Sequence, residues 1–222
     1  MKATDVASLD RYLTTTKQVR RRLDLTRSVP VETVLDCIDI ASRAPIGGNV
    51  QINRWLLVDD EKTRQGLADL YRANGAGYLQ EGSRRVEEMG NEPTARRVVD
   101  SSLYLLDHLH EVPMMIVPLR LDRPGVSTFD QATFWGSVIP GVWSLQLALR
   151  ARGIGSPWTT LHLHEEQAAA ELLGLPETVT QIALLPTAYF TGDDFHPAKR
   201  LPVHEITWRN RWKQPVTEEK EQ

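Results

Sequence analysis

The chain has 222 residues, a formal charge of −3 at pH 7, and apolar and charged fractions of 41% and 25%, ordinary for a soluble globular protein. That length fits one large domain with a substantial core, and the mildly acidic balance argues against a general polyanion binder. Cys37 is the only cysteine, which excludes an intrachain disulfide; with no membrane-length apolar run and no apolar leader in Met1-Lys2-Ala3-Thr4-Asp5, a cytoplasmic protein is expected.

Val6, Leu9 and Leu13 recur at helical spacing and predict a helix over about residues 4–16. Lys17-Gln18-Val19-Arg20-Arg21-Arg22-Leu23-Asp24, with Arg27 close behind, is then a dense cluster of fixed positive charge. Three readings fit it. A solvated charged face is the bland one. A nucleic-acid surface lacks interleaved aromatics and a second basic stripe. A phosphate site suits arginine's planar fork and lysine's point charge.

Val29-Pro30-Val31-Glu32 opens a second helix, with Pro30 suited to a first turn and Glu32 to the positive dipole end. Val31, Val34, Leu35 and Ile38 form its expected buried stripe, and Cys37 reads as a small core residue. The helix is expected to reach about Ala44, where Pro45 ends it. Ala44-Pro45-Ile46-Gly47-Gly48-Asn49-Val50-Gln51 follows. Two glycines let the backbone take dihedrals that a Cβ forbids and pass close to a flat ligand, while Asn49 and Gln51 offer amide donors and acceptors. A helix end followed by an ordinary turn is the alternative. Trp55-Leu56-Leu57-Val58 reads as a buried strand, and Glu61 to about Ala73 as a helix with Leu67, Leu70 and Tyr71 on one side.

Gly75, Gly77, Gly82 and Gly90 punctuate the next stretch, and Pro93-Thr94-Ala95-Arg96 starts another helical segment. Residues from about 74 to 111 are expected to form a mobile, lid-like excursion or else a plain pair of surface helices. Val112-Pro113-Met114-Met115-Ile116-Val117-Pro118-Leu119 is a strand whose prolines place it near an edge or sit at its ends. After a loop from Asp122 to Asp130, Val138, Val142, Leu145 and Leu149 define one helical face that Ile139, Trp143, Leu147 and Ala148 widen. A helix apolar nearly all round is a central helix or a subunit interface. Gly153 and Gly155 end it, and Ser156-Pro157-Trp158-Thr159-Thr160 offers hydroxyl and backbone donors. Glu165 to Leu173 is a helix closed by Gly174, Gln181 to Phe190 a strand, and His196-Pro197-Ala198-Lys199-Arg200 a basic loop. The tail from Ile206 to Trp212, rich in tryptophan and arginine, is expected to pack on its own domain or on a partner. Without repeats or low-complexity linkers, the whole chain reads as one α+β domain.

The chemical inventory is sparse. His108/His110 and His162/His164 have i, i+2 spacing, but no carboxylate or cysteine cluster completes a metal site. Nucleophile elbow, P-loop and dinucleotide fingerprint are all missing. Such an inventory points either to a binding or structural protein, or to an enzyme whose chemistry belongs to a cofactor.

The order of basic cluster, Val-Pro helix, Ala-Pro-x-Gly-Gly-Asn-x-Gln turn, strand, apolar helix ending in Gly153-Ile154-Gly155, Trp158-Thr159-Thr160 and late Lys199-Arg200-Leu201-Pro202 resembles the nitroreductase family of FMN-dependent oxidoreductases. The likeness runs from about residue 9 to 212. It implies an α+β fold with a central, mostly antiparallel sheet flanked by helices, in an interlocked homodimer with FMN at the interface and residues of about 202–222 packed on the partner subunit. Aligned to the family's Arg-Arg-Ser-Val-Arg-x-Phe opening, with Leu23 at the Phe position, Lys17 takes the first arginine's place, Gln18 the second's and Val19 the serine's. Arg21 takes that of the last arginine, at the flavin pyrimidine edge. By resemblance the cofactor contacts are Lys17, Gln18, Val19, Arg20, Arg21, Pro45, Ile46, Gly47, Asn49, Gln51, Trp158, Thr159, Thr160, Lys199 and Arg200. The chain departs from the pattern at Val19 and Ile46, where the family has serine, and at Ile52-Asn53, where it has Pro-Trp. The implied activity is reduction of a nitroaromatic or quinone by NADPH or NADH through bound FMN, in a ping-pong scheme. Tyr71, Tyr78, Phe129, Phe134 and Trp135 are candidate contacts for the small-molecule acceptor, and no metal, nucleic acid or membrane is implied. The alternatives are an oxidase, dehydrogenase or dehalogenase on the same scaffold, or an FMN-binding protein without turnover.

Overall fold

The computed structural model describes residues 3–216. In chain order they form α1 (Ala3–Thr15), α2 (Val31–Ala41), β1 (Asn53–Val58), α3 (Glu61–Glu88), α4 (Pro93–His108), β2 (Met114–Arg120), α5 (Thr128–Gly136), α6 (Ile139–Arg150), β3 (Ile154–Gly155), α7 (Glu166–Leu173), β4 (Thr180–Gln181) and β5 (Leu185–Tyr189). All the strand pairs are antiparallel, in the order β1-β2-β5-β3, with β4 also paired to β2. This is the α+β architecture that the sequence implies.

Strand β2 is buried along its whole length, and its side chains alternate between two cores. Met114 and Ile116 point to one face, where they meet Val34, Cys37 and Ala41 of α2 and Val142, Leu145 and Leu149 of α6. Met115 and Val117 point to the other, where they meet Leu67, Ala68 and Tyr71 of α3 and Leu105 and Leu106 of α4. Burial on both sides explains why this strand reads as a continuous apolar run. The sheet is thus a middle layer between two helical layers.

Its prolines do not mark an edge. Strand β2 has neighbours on both sides, and Pro118 lies between the part paired with β5 (Met114–Ile116) and the part paired with β4 (Leu119 and Arg120). A residue without an N–H is tolerated where the ladder changes partner. The expected single strand over 181–190 breaks at the same place: Leu184 exchanges two backbone hydrogen bonds with Thr159.

Helix α2 ends at Ala41, three residues before the expected end, and its buried stripe is Val34, Cys37 and Ala41. Val31 and Leu35 face outward. Burial also raises the Cys37 thiol above its ordinary pKa, which suits a core residue. Helix α3 shows a larger departure. It continues unbroken to Glu88 through Gly75, Gly77 and Gly82. Asp60 caps its start by accepting from the Thr63 N–H at 2.8 Å, and Glu81 pairs with Arg84 and Arg85 on its surface. Gly75 permits close approach instead of breaking the helix: a Cβ there would lie 2.9 Å from Leu106 Cδ1 and 3.0 Å from Leu161 Cδ1. The helix stops at Gly90, in the left-handed region at φ 80°. Residues 74–111 are therefore mostly a helical hairpin of α3 and α4.

The tail is exposed from Lys199 to Val216, with the Trp208 and Trp212 rings packed at a tilt, their centroids 4.1 Å apart. Residues 217–222 of the expected tail lie outside the described residues. Among the described residues no helix is long and apolar enough to cross a membrane.

His162 sits in a short 3-10 turn, Leu161–Glu165, that packs on α3. It is 0% exposed, and both ring nitrogens lack partners in the protein. Burial holds its pKa down at about 4. The folded state thus refuses a proton that the unfolded chain takes near pH 6.5, so stability falls as pH drops below that value. Between pH 7 and pH 5 the expected loss is about 2 kcal/mol. The depressed carboxylates of Asp60, Glu81 and Glu92 lose their favourable contribution only at lower pH. Urea unfolding at pH 7, 6 and 5 should show this slope in the native sequence and a flat line in His162→Leu.

Candidate functional site

Backbone pairing beside β5 positions the cationic segment. Leu23 forms an antiparallel bridge with Phe190, and Asp24 N–H donates to the Tyr189 carbonyl at 2.7 Å. Val19 is buried against Gly155, where a Cβ would lie 2.8 Å from that of Val19. Val19 is thus a packing residue, and a serine there would leave an apolar slot to a hydroxyl. Gln18 Oε1 accepts from the Trp158 N–H, which joins this segment to the Trp158-Thr159-Thr160 stretch.

These residues surround two clefts. Lys17, Gln18, Arg20 and Arg200 line one of about 840 Å³, together with Arg97 and Ser101 of α4. Arg20 also lines a second, of about 540 Å³, with Tyr71, Tyr78, Trp158, Thr159 and Thr160. Both fall in the range of small-molecule sites. Arg20 Nη1 lies 3.4 Å from Ser101 Oγ, and burial pulls its pKa below the ordinary arginine value. Among the described residues, no Asp or Glu oxygen lies within 4.0 Å of Lys17, Arg20, Arg97 or Arg200. A half-buried guanidinium with no counter-charge is costly alone and suits an anionic or electron-rich ligand.

The remaining cations of the cluster point elsewhere. Arg21 is exposed, with Nη2 3.5 Å from the Asp100 carbonyl, and lines neither cleft. Arg22 donates from Nε to the Thr191 carbonyl at 2.6 Å and stacks 4.2 Å from the Phe195 ring centroid. It braces the 191–195 loop. Lys199 is exposed, and its carbonyl accepts from Arg200 Nη1 at 3.0 Å. The groove-facing arginine is therefore Arg20, one position before the one the alignment selects.

Tyr71 is almost fully buried, and its hydroxyl accepts from Thr159 Oγ1 at 3.2 Å. Burial raises its pKa, so the phenol keeps its proton. Tyr78 is exposed at the rim of the same cleft. The other three acceptor candidates lie apart. Phe134 is a core residue 4.8 Å from the Arg120 guanidinium, Trp135 packs beside it with Nε1 donating to Gln131 at 2.8 Å, and Phe129 stands exposed on α5. None of the three lines either cleft.

The glycine turn occupies a separate place. Pro45, Ile46, Asn49 and Gln51 line a third hollow, and Ile46 and Gln51 reach a smaller one with Asn53 and Ser137. Gly48 and Asn49 take φ of 61° and 56°. The turn rests on α5: Gly47 N–H donates to Ser137 Oγ at 3.1 Å, and Ser137 Oγ donates to the Thr133 carbonyl at 2.7 Å. Asn53 Nδ2 donates to the Ser137 carbonyl at 2.9 Å, so it braces the turn from β1. No hollow described here contains both the turn and the cationic segment. Gly141 and Trp143 of α6 serve the two places from different sides of one helix.

Sequence reasoning missed Arg97, Ser101 and Ser137. Arg96-Arg97 is visible in the sequence, but nothing local separates a cleft-lining arginine from a solvated one. The histidine pairs fall on helix ends and 3-10 turns, not on strands, and no three metal-ligating side chains cluster among the described residues.

A Cβ on Gly47 would lie 2.9 Å from Ser137 Oγ. Thermal unfolding should therefore show Gly47→Ala and Ser137→Ala each destabilising by about 1 kcal/mol, the second by orphaning the Gly47 N–H. In the double variant the clash is gone, so the two costs should sum to less than additive.

Residues 15–189 match the nitroreductase family. No curated protein matches the sequence. Similar folds include an iodotyrosine deiodinase solved with FMN and 3-iodo-L-tyrosine, at 22% identity, TM-score 0.66, covering 92% of this chain and 99% of that one. An FMN- and NADPH-dependent nitroreductase from Sphigopyxis sp. strain HMH is 16% identical at TM-score 0.65, covering 96% and 100%. A nitroreductase-like protein from Bacillus cereus is 18% identical at TM-score 0.64, covering 90% and 94%.

Proposed function

The chain belongs to the nitroreductase family, a family of flavin oxidoreductases, and from that premise we propose that it is an FMN-dependent oxidoreductase that passes electrons from NADPH or NADH to a nitroaromatic or quinone-type acceptor. The observation that carries this reading is Arg20, half-buried where two clefts meet and without a carboxylate partner. FMN offers what these clefts lack, a phosphate dianion at one end and an electron-accepting ring at the other.

Lys17 and Arg200 would hold the phosphate, whose charge of about −1.5 to −2 matches their two cations. Arg20 would lie against the pyrimidine edge, where a fixed positive charge favours the reduced ring. The backbone of Trp158-Thr159-Thr160 and the Thr159–Tyr71 pair would face the ring's heteroatoms. FMN supplies the redox chemistry when bound, so the protein needs no nucleophile or acid–base pair of its own, in keeping with its inventory. Tyr71 and Tyr78 would border the place that nicotinamide and acceptor occupy in turn.

The glycine turn enters through a second copy of the chain. Val6, Leu9 and Leu13 on α1, Val31, Leu35 and Ile40 on α2, and Leu201, Ile206 and Trp212 in the tail are exposed apolar side chains. Such surface is a site of association. In a homodimer the 45–51 turn of one subunit would complete the cleft of the other, and the tail would lie on the partner.

A second reading keeps the scaffold and changes the substrate. The 540 Å³ cleft carries Glu81 and Arg85 beside Tyr78, a charge pair that complements a zwitterionic aromatic such as a halogenated tyrosine. Reductive dehalogenation of such a compound, without nitroreductase activity, would favour it.

The purified protein should be yellow or take up FMN, and anaerobic NADPH or NADH should bleach the flavin until a nitroaromatic or quinone restores it. A colourless protein that neither binds FMN nor gains NAD(P)H oxidation from it overturns the reading. Arg20→Ala should weaken FMN binding about tenfold or more, as expected for a lost charged contact, and lower the flavin's reduction potential. Co-expressing Arg20→Ala with a variant altered at Asn49 and Gln51 should regain flavin in heterodimers, because one of the two sites is then intact.

A further inference from the structure

We propose that Arg97, on the α3–α4 hairpin, is a cofactor-phosphate ligand, through which the phosphate clasps the hairpin across the substrate cleft. This inference rests on the FMN reading above and assigns a residue that the sequence pattern does not mark.

The phosphate-end cleft has two walls. One is the body of the molecule, with Lys17, Arg20 and Arg200; the other is the first half of α4, with Thr94, Arg97 and Ser101. No acidic residue lines it. Glu92 feels the charge of Arg97, but its carboxylate is engaged in capping α4 through the Thr94 and Ala95 N–H groups at 3.0 and 2.7 Å. The hydrogen bond that Arg97 makes is to Thr94 Oγ1, on its own helix, at 3.2 Å.

Helix α4 is bound to α3: Arg96 reaches Ser83 Oγ at 3.0 Å and Glu87 at 3.3 Å, and Leu105 and Leu106 share a core with Leu67, Tyr71 and Leu79. Its hold on the 17–22 segment is weak. Arg20 to Ser101 at 3.4 Å and Arg21 to the Asp100 carbonyl at 3.5 Å are both long for hydrogen bonds. Like charges on the two walls repel across the cleft when no anion lies between them. A dianion bound by Lys17 and Arg200 from one wall and by Arg97 from the other turns that repulsion into attraction. The hairpin carries Tyr78, Glu81 and Arg85 over the second cleft, so fixing its α4 limb fixes the roof of the acceptor site.

Riboflavin separates the phosphate from the ring, since it carries the same isoalloxazine without the phosphate. Fluorescence titration gives the Kd of FMN and of riboflavin for the native sequence, Arg97→Ala and Arg97→Lys. Hydrogen exchange over residues 83–101 reports the hairpin. FMN should slow exchange there in the native protein and riboflavin should not. Arg97→Ala should raise the FMN Kd about tenfold or more, the scale of one charged contact, leave the riboflavin Kd unchanged and lose the protection. Arg97→Lys should restore part of both. Equal protection by riboflavin and FMN, or an FMN Kd unaffected by Arg97→Ala, overturns the clasp and leaves the FMN reading standing. A native protein that binds neither flavin overturns both.

Discussion

Everything in this molecule hangs on the two-sided burial of β2. Met114 and Ile116 serve one core, Met115 and Val117 the other, so one strand binds both helical layers to the sheet. A polar side chain at any of these four positions would face a core with no water to solvate it. At the end of β5, Tyr189, Phe190 and Thr191 hold Asp24, Gly153 and Arg22 through backbone hydrogen bonds. Partner exchange at Leu184 likewise holds Thr159. The site's polar groups thus stand on rigid backbone, though few of them belong to a strand.

Around that frame, positive charge is unevenly compensated. Several arginines meet carboxylates: Arg84 with Glu81 and Glu88, Arg123 with Glu166, Arg11 and the buried Arg150 with Asp194. The four cations that line the 840 Å³ cleft do not. Uncompensated charge opposes folding, and it persists where a ligand relieves it. The departures from the family pattern find local reasons as well. Val19 fills space against Gly155, and Asn53 holds the turn by the Ser137 carbonyl, so neither position needs the residue the family usually has there.

The sequence was most legible where local rules and burial agree. The apolar face of α6, the Gly174 stop after α7 and the start of α3 at Glu61 follow from periodicity and terminal chemistry. It misled where a small residue serves packing. Glycines inside α3 look like breaks, but Gly75 lies inside a helix because Leu106 and Leu161 need the space of its missing Cβ. Apolar periodicity also says which residues share a face, not which face is inside: Val31 and Leu35 lie outward on α2 while Val34 and Cys37 lie inward.

Composition, motif order and spacing by themselves determined the family and the α+β class, and they singled out segments that line the candidate clefts. Those properties are carried by residue types along the chain. Only the tertiary structure decided that Arg20 and not Arg21 faces the groove, that Arg97 joins it from α4, that Phe134 belongs to the core, and that the glycine turn stands apart from the cationic segment. The reason is geometric. Which way a side chain points in an irregular segment depends on what packs behind it, here Val19 on Gly155 and Leu23 beside Phe190, and those partners lie more than a hundred residues away in the sequence.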